Sequence, residues 1–218
     1  MSARRPRALL FDWDNTLVDT WPTIHHALSV TFQAMGQTPW TFEETKARVR
    51  ASARDSFPKL FGDRAPEATE VFYRAYEAGH LENLQERPGT GAALSTLAGQ
   101  PGLYLAVVSN KKGDLLRREA AHLGWDPFFA RLVGAQDAAR DKPAPEAVAL
   151  ALEGSGLASG PEVWFVGDTD IDMHCAVNSG CIPVLVRPHA PHKGEFGTAA
   201  PQMHYPDCAA LLGGLLAM

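Results

Sequence analysis

Cysteine is scarce in this chain. Only Cys175, Cys181 and Cys208 occur in 218 residues, an odd number that suggests no disulfide framework and contains no Cys-x-x-Cys metal pair. A reducing cytosol is therefore the expected compartment. Long apolar runs are absent as well: no stretch approaches the roughly 20 residues of a membrane span. The start, MSARRPRALLFDWD, is basic and then apolar like the first regions of a signal peptide, but Asp12 cuts the apolar stretch far short of a signal core. Positive charge is not in excess. A formal net charge of −5 argues against a nucleic-acid footprint, so neither nucleic acid nor membrane is an expected partner. The eight histidines show neither HxH nor HExxH spacing, and no histidine metal site is expected. Internal repeats and low-complexity segments are missing.

What is present is globular. The apolar share of 45% can build a sizeable core. Short, nearly continuous apolar runs at 8–13, 103–109, 131–135, 163–168 and 182–187 suit parallel strands buried on both faces. Helical patterns at 112–123, 145–154 and 170–180 alternate with them, which predicts an α/β fold with a doubly wound parallel sheet. About ninety residues separate the first strand from the second, far more than one crossover needs. Much of that interval has helical spacing: Ile24, Leu28, Thr31 and Met35 before Gly36, a capping box in TFEE at 41–44, and a long pattern over 65–86 through Val71, Phe72, Ala75 and Leu81. RPGTG at 87–91 marks the return. The expectation is a helical insert at 18–86 within a core made of 1–17 and 87–218. The polar loop 187–201 is expected to be mobile, and CAALLGGLLAM to form a closing helix.

The chemistry lies at the strand ends. Ligands of open parallel sheets bind beyond the carboxyl ends of the strands. The first run ends in Asp12-Trp13-Asp14-Asn15-Thr16, the second in Ser109-Asn110, and the run 163–168 in Gly167-Asp168, with Asp172 after it. Lys142 precedes a helix in DKPAPE. Buried carboxylates are costly unless paired or bound to a metal. Oxygen ligands of this kind suit Mg²⁺ together with a phosphoryl group. Taken singly, each residue has a plainer reading: Asp14 a turn carboxylate, Ser109 a strand-end hydroxyl, Lys142 a surface lysine, Asp19 and Asp170 helix caps. Lys111 and Lys112 fall at a helix start, where a cation opposes the dipole. At least one of them is expected to be solvated, as are His25 and His26.

Asp12–Thr16 (DxDxT), Ser109, Lys142 and Gly167–Asp172 (GDxxxD), in this order, resemble the four motifs of the haloacid dehalogenase superfamily, and the insert looks like its small helical cap. The branch it resembles most is the phosphoglycolate phosphatase type. The resemblance implies a Mg²⁺-dependent phosphatase acting on a small phosphorylated metabolite. Asp12 would be the nucleophile and Asp14 the acid and base. Asp12, the main-chain carbonyl of Asp14, and Asp168 would hold the metal, with Asp172 acting through water or from behind. Thr16, Ser109, Asn110 and Lys142 would bind the phosphate. Asn15 replaces a frequent glycine and Ile171 a frequent asparagine. Retention of Asp14 disfavours dehalogenases and phosphonate hydrolases. A sugar-phosphate mutase of the same superfamily and a non-catalytic phospho-ligand-binding or regulatory protein on the same fold are the alternatives. In the segment 47–61, Arg48, Arg50, Arg54 and Lys59 are expected mostly on a solvated face.

Overall fold

A computed structural model describes residues 5–218; Met1–Arg4, part of the basic start, lie outside the described residues. In chain order the elements are β1 (Ala8–Phe11), β2 (Val18–Asp19), α1 (Trp21–Ala34), α2 (Phe42–Arg48), α3 (Ala53–Phe61), α4 (Ala65–Glu77), β3 (Gln85–Glu86), α5 (Thr90–Ala98), β4 (Tyr104–Lys112), α6 (Gly113–His122), β5 (Arg131–Ala135), α7 (Glu146–Leu152), β6 (Val163–Gly167), α8 (Asp170–Asn178), β7 (Ile182–Val186), β8 (Met203–Tyr205) and α9 (Cys208–Leu216). The described chain divides into two compact units. One runs up to Val18 and resumes over Glu86–Met218; the other is Asp19–Gln85. No helix among the described residues is long and apolar enough to cross a membrane.

The larger unit is built on a six-stranded sheet in the order β5-β4-β1-β6-β7-β8, with every pairing parallel. β1 lies inside, in register with β4 (Phe11 opposite Val107) and with β6 (Phe11 opposite Val166). All four of its side chains are buried, as an apolar strand covered on both faces requires. The chain steps from β1 to β4 and β5 on one side and to β6, β7 and β8 on the other. The crevice where the order reverses therefore opens at the carboxyl end of β1. One face of the sheet packs Leu10, Val108, Val133 and Phe165 against Val148, Ala151 and Leu152 of α7 and Ala176 of α8.

The smaller unit has its own core, in which Leu28, Phe32 and Met35 of the α1 region meet Phe57, Phe61 and Ala68. The capping box of α2 is present in both directions: Glu44 N–H donates to the Thr41 hydroxyl and Thr41 N–H to the Glu44 carboxylate. Arg48, Arg50, Arg54 and Lys59 are all exposed.

Several expectations need correction. The pattern over 65–86 is helical only to Glu77; Gly79 weakens a helix, and Asn83 closes a turn by donating to the Gly79 carbonyl through both its amides. His25 is half-buried rather than fully exposed: its Nδ1 lies 2.9 Å from the Thr45 hydroxyl and its ring meets Phe42 edge to face. The loop after β7 is anchored, because Phe196 and Ala199 are buried against Met173 and Leu185 and Arg187 pairs with Glu195 at 2.8 Å. The helix α5 and the short strands β2, β3 and β8 were not anticipated. Thr169 rather than Asp170 caps α8. Asp19 does accept the Trp21 N–H at 3.2 Å, although Thr20 is the capping position.

The pairing of β4 with β5 shifts register between Val108 and Lys112. This lets Ser109–Lys111 bulge at the mouth of the crevice. Gly134 of β5 makes room for it: a Cβ there would lie 2.6 Å from the Lys111 carbonyl oxygen, against rigid backbone. Gly134→Ala is expected to destabilise the protein by about 1–3 kcal/mol, measured by urea denaturation. An unchanged midpoint would mean that the bulge tolerates displacement.

All three cysteines are free and buried. Burial pushes the Cys175 thiol up to about 12 and those of Cys181 and Cys208 up to about 11. Thiolate is the reactive form. Titration with an aromatic disulfide at pH 8 is expected to find almost no reactive thiol in the native protein and all three after denaturation. Rapid native labelling would contradict the burial.

Candidate active site

The tight loop after β1 holds two carboxylates apart. Asp12 continues the strand, donating its N–H to the Val166 carbonyl at 2.8 Å. Asn15 then takes a left-handed conformation (φ 65°), which asparagine tolerates better than most residues. Its N–H reaches the Val18 carbonyl at 2.6 Å and closes the loop. The residue between the carboxylates, Trp13, is fully buried and packs edge to face on Trp125.

Each carboxylate meets a different buried lysine. Lys142 Nζ lies 2.6 Å from Asp12 Oδ1 and 2.7 Å from Asp172 Oδ1. Lys111 Nζ lies 2.6 Å from Asp14 Oδ1 and 2.5 Å from Glu119 Oε2. Trp13 Nε1 donates to that same Glu119 oxygen at 2.7 Å. The site thus contains two lysine-centred bridges, each joining a loop carboxylate to a carboxylate on a helix behind it.

The other expected residues gather here, and the structure gives each of them partners within the chain. The Asn110 amide grips the Lys142 backbone, accepting that N–H at 2.9 Å and donating to that carbonyl at 3.1 Å. The Thr16 hydroxyl donates to Asp168 Oδ1 at 3.2 Å. Ser109 is buried, and its oxygen accepts the Lys111 N–H at 3.2 Å, so its own proton is available to donate. Asp172 Oδ2 accepts from the N–H groups of Asp168 and Thr169 and from the Thr169 hydroxyl. It therefore fixes the loop that presents Asp168. Gly167 permits this close approach, since a Cβ there would lie 2.6 Å from Asp172 Oδ2.

Glu119 was missed, and the partnership of Lys111 with Asp14 was not anticipated. Lys111 was weighed with Lys112 as a helix-start cation, relieved by a nearby phosphate or else solvated, yet it lies on β4 and is buried; Lys112, by contrast, is half-exposed beside Asp114. The available signal was Glu119 itself, a charge within the apolar spacing Leu115, Leu116, Ala120 of α6.

The electrostatics suit a cation. Burial pushes Asp12 up to about 7; Lys142 pulls it down, while Asp172 and Asp14 push it up again. Burial, then Asp172 and Asp12, hold Asp168 well above the usual carboxylate range. Burial opposes charge on Lys142, but Asp12 and Asp172 outweigh it and raise its value. Oxygens of Asp12, Asp168 and Asp172 lie within 4.8 Å of one another. A hard divalent cation with oxygen ligands fits this donor set and would relieve its surplus negative charge.

A family model for haloacid dehalogenase-like hydrolases matches residues 9–186. The phosphoglycolate phosphatase of Aquifex aeolicus is 30% identical over 176 residues, covering 80% of this chain and 81% of its own. The pyrophosphatase PpaX of Listeria monocytogenes is 31% identical over 173 residues, 78% of each chain. Among solved structures, haloacid dehalogenase-like hydrolases from Bacteroides fragilis (TM-score 0.85, 22% identity, 94% of this chain and 99% of the other) and Streptococcus pneumoniae (TM-score 0.83, 22% identity, 96% and 98%) share the fold. The match begins on the strand that leads into Asp12 and runs past Asp172 to the end of β7, so this chain belongs to the haloacid dehalogenase-like hydrolase family.

Proposed function

We propose that the chain is a Mg²⁺-dependent phosphatase that hydrolyses a small phosphate monoester through a phosphoaspartate on Asp12. The observation that carries this reading is the pair of carboxylates on one short loop, each bonded to its own buried lysine. Relatives named phosphoglycolate phosphatase and pyrophosphatase support the class of reaction. The helical unit Asp19–Gln85 is read as the family's small cap.

An Asp12 oxygen attacks phosphorus while the bond to the ester oxygen breaks, and protonated Asp14 gives its proton to the departing alkoxide. Asp14, now a carboxylate, takes a proton from water as the water oxygen attacks the same phosphorus. The bond from phosphorus to Asp12 breaks, releasing phosphate and restoring both side chains. The Ser109 hydroxyl and Lys142 ammonium donate to the phosphoryl oxygens, where charge accumulates. Lys142 already touches Asp12, so it can follow the phosphoryl group onto that oxygen. Asn110 keeps it there by gripping its backbone. Asp12, Asp168 and the main-chain carbonyl of Asp14 would hold Mg²⁺, with Asp172 bracing from behind. Bound there, Mg²⁺ would neutralise phosphoryl charge and align the ester for in-line attack.

Asp12→Asn keeps the shape and an acceptor for Lys142 but removes the nucleophile. It is expected to lower turnover of 4-nitrophenyl phosphate at least about a thousandfold with little change in thermal stability. Near-normal turnover in that variant would sink the mechanism. Excess chelator is expected to abolish phosphate release and added Mg²⁺ to restore it, and Asp168→Ala to raise the Mg²⁺ needed for half-activity about tenfold or more. Undiminished hydrolysis in chelator would refute the metal assignment.

A further inference from the structure

Glu119 is fully buried at a core-facing position of α6. A hydrophobic side chain there would pack without the cost of desolvating a charge, and replacing buried ion pairs by apolar groups is often neutral or stabilising. Packing therefore does not account for a carboxylate at this position. Its partners Trp13 and Lys111 do suggest a use. Trp13 and Lys111 both donate to Glu119 Oε2, and Lys111 donates onward to Asp14 Oδ1. Trp13 immediately precedes Asp14, so Glu119 holds that residue twice, once through the chain and once through the lysine. The Lys111 side chain is almost completely buried, whereas that of Asp14 is about one-fifth exposed. The line of polar groups thus runs from the interior outward to the carboxylate at the crevice.

We propose that Lys111, anchored by Glu119, is a positioning residue for Asp14: it engages one carboxylate oxygen so that the other is aimed at the ester oxygen that receives the proton. The proposal rests on the reading of Asp14 as acid and base. Lys142 performs the corresponding service for Asp12 from Asp172. The two loop carboxylates, only two residues apart, are thereby drawn toward separate cations and kept in separate roles. A general acid must lie within hydrogen-bond reach of the atom it protonates, and a small displacement of such a group costs rate steeply.

The test compares the Mg²⁺-supplemented full chain with Lys111→Met, Glu119→Gln, Asp14→Asn and the double variant Lys111→Met/Asp14→Asn. The probes are 2-phosphoglycolate, whose alkoxide needs a proton, and 4-nitrophenyl phosphate, whose phenolate barely does. Lys111→Met is expected to lower kcat/KM about tenfold to a hundredfold on the alkyl ester and less than about threefold on the aryl ester. In the Asp14→Asn background it is expected to cost nothing further. Equal losses on both esters, or the same loss in both backgrounds, would show that Lys111 serves only the fold. Glu119→Gln keeps an acceptor for Trp13 and carries the same comparison should Lys111→Met fail to fold. Crystal structures of the variants give a readout independent of activity: the Asp14 carboxylate is expected to leave its place while Phe11, Asp12 and Ser109 keep theirs. An unmoved carboxylate overturns the proposal. Failure of the phosphatase reading looks different, with wild-type protein hydrolysing neither ester; the crystal comparison then still decides the role of Lys111.

Discussion

The site depends on the cost of placing several negative charges where a parallel sheet offers little water. Asp12, Asp14, Asp168, Asp172 and Glu119 converge near the end of β1, and two lysines reach into that group. Burial makes each charge expensive. The arrangement holds because each lysine bridges two carboxylates, and because backbone N–H groups at Asp168 and Thr169 are spent on Asp172. The remaining surplus is what a dication and the protons of catalysis can use. The tightness of the β4–β5 bulge and the close approach at Gly167 follow from the same demand, since short bonds between charged groups require backbone that yields no space to a Cβ.

Much of this was legible in the sequence. Five apolar runs identified five of the six strands in the main sheet, because strands buried on both faces leave an uninterrupted hydrophobic signal. Their ends marked Asp12, Asp14, Ser109, Asp168 and Asp172 as candidates, because residues that read blandly one by one fall together at the carboxyl ends of neighbouring strands. The illegible parts depend on distance in space. Nothing in the sequence shows that the side chains of Asn110 and Thr16 reach Lys142 and Asp168, residues 32 and 152 positions away. Lys111 looks like a neighbour of Lys112, and only the bulge sends one inward and leaves the other half-exposed. The overlong helix at 65–86 arose from apolar periodicity that continues past Gly79, where the backbone does not follow.

The helical unit illustrates a different balance. Its aromatic residues pack among themselves, with Phe32 against Phe61 and Trp40, and Phe57 against Phe72. It therefore closes its own core instead of borrowing one. Its basic residues spend themselves locally: Arg48 pairs with Glu44 and lies over Trp40, and Arg64 forms a two-pronged bond with Glu67.

The topology of the sheet also governs how the chain reaches this state. β1 precedes both of its partners in the chain: Ala8 pairs with Tyr104 on one side and Val163 on the other. An apolar strand with two open edges must therefore wait until β4 and then β6 have been made. Such long-range parallel pairing is slow to form, and unpaired edges of this kind invite aggregation. The same residues that form a fully buried strand in the finished protein are an exposed apolar segment until their partners have been made. A chain cut short before β6 would have made Asp12 and Lys142 without the strand that supports β1 on its second side.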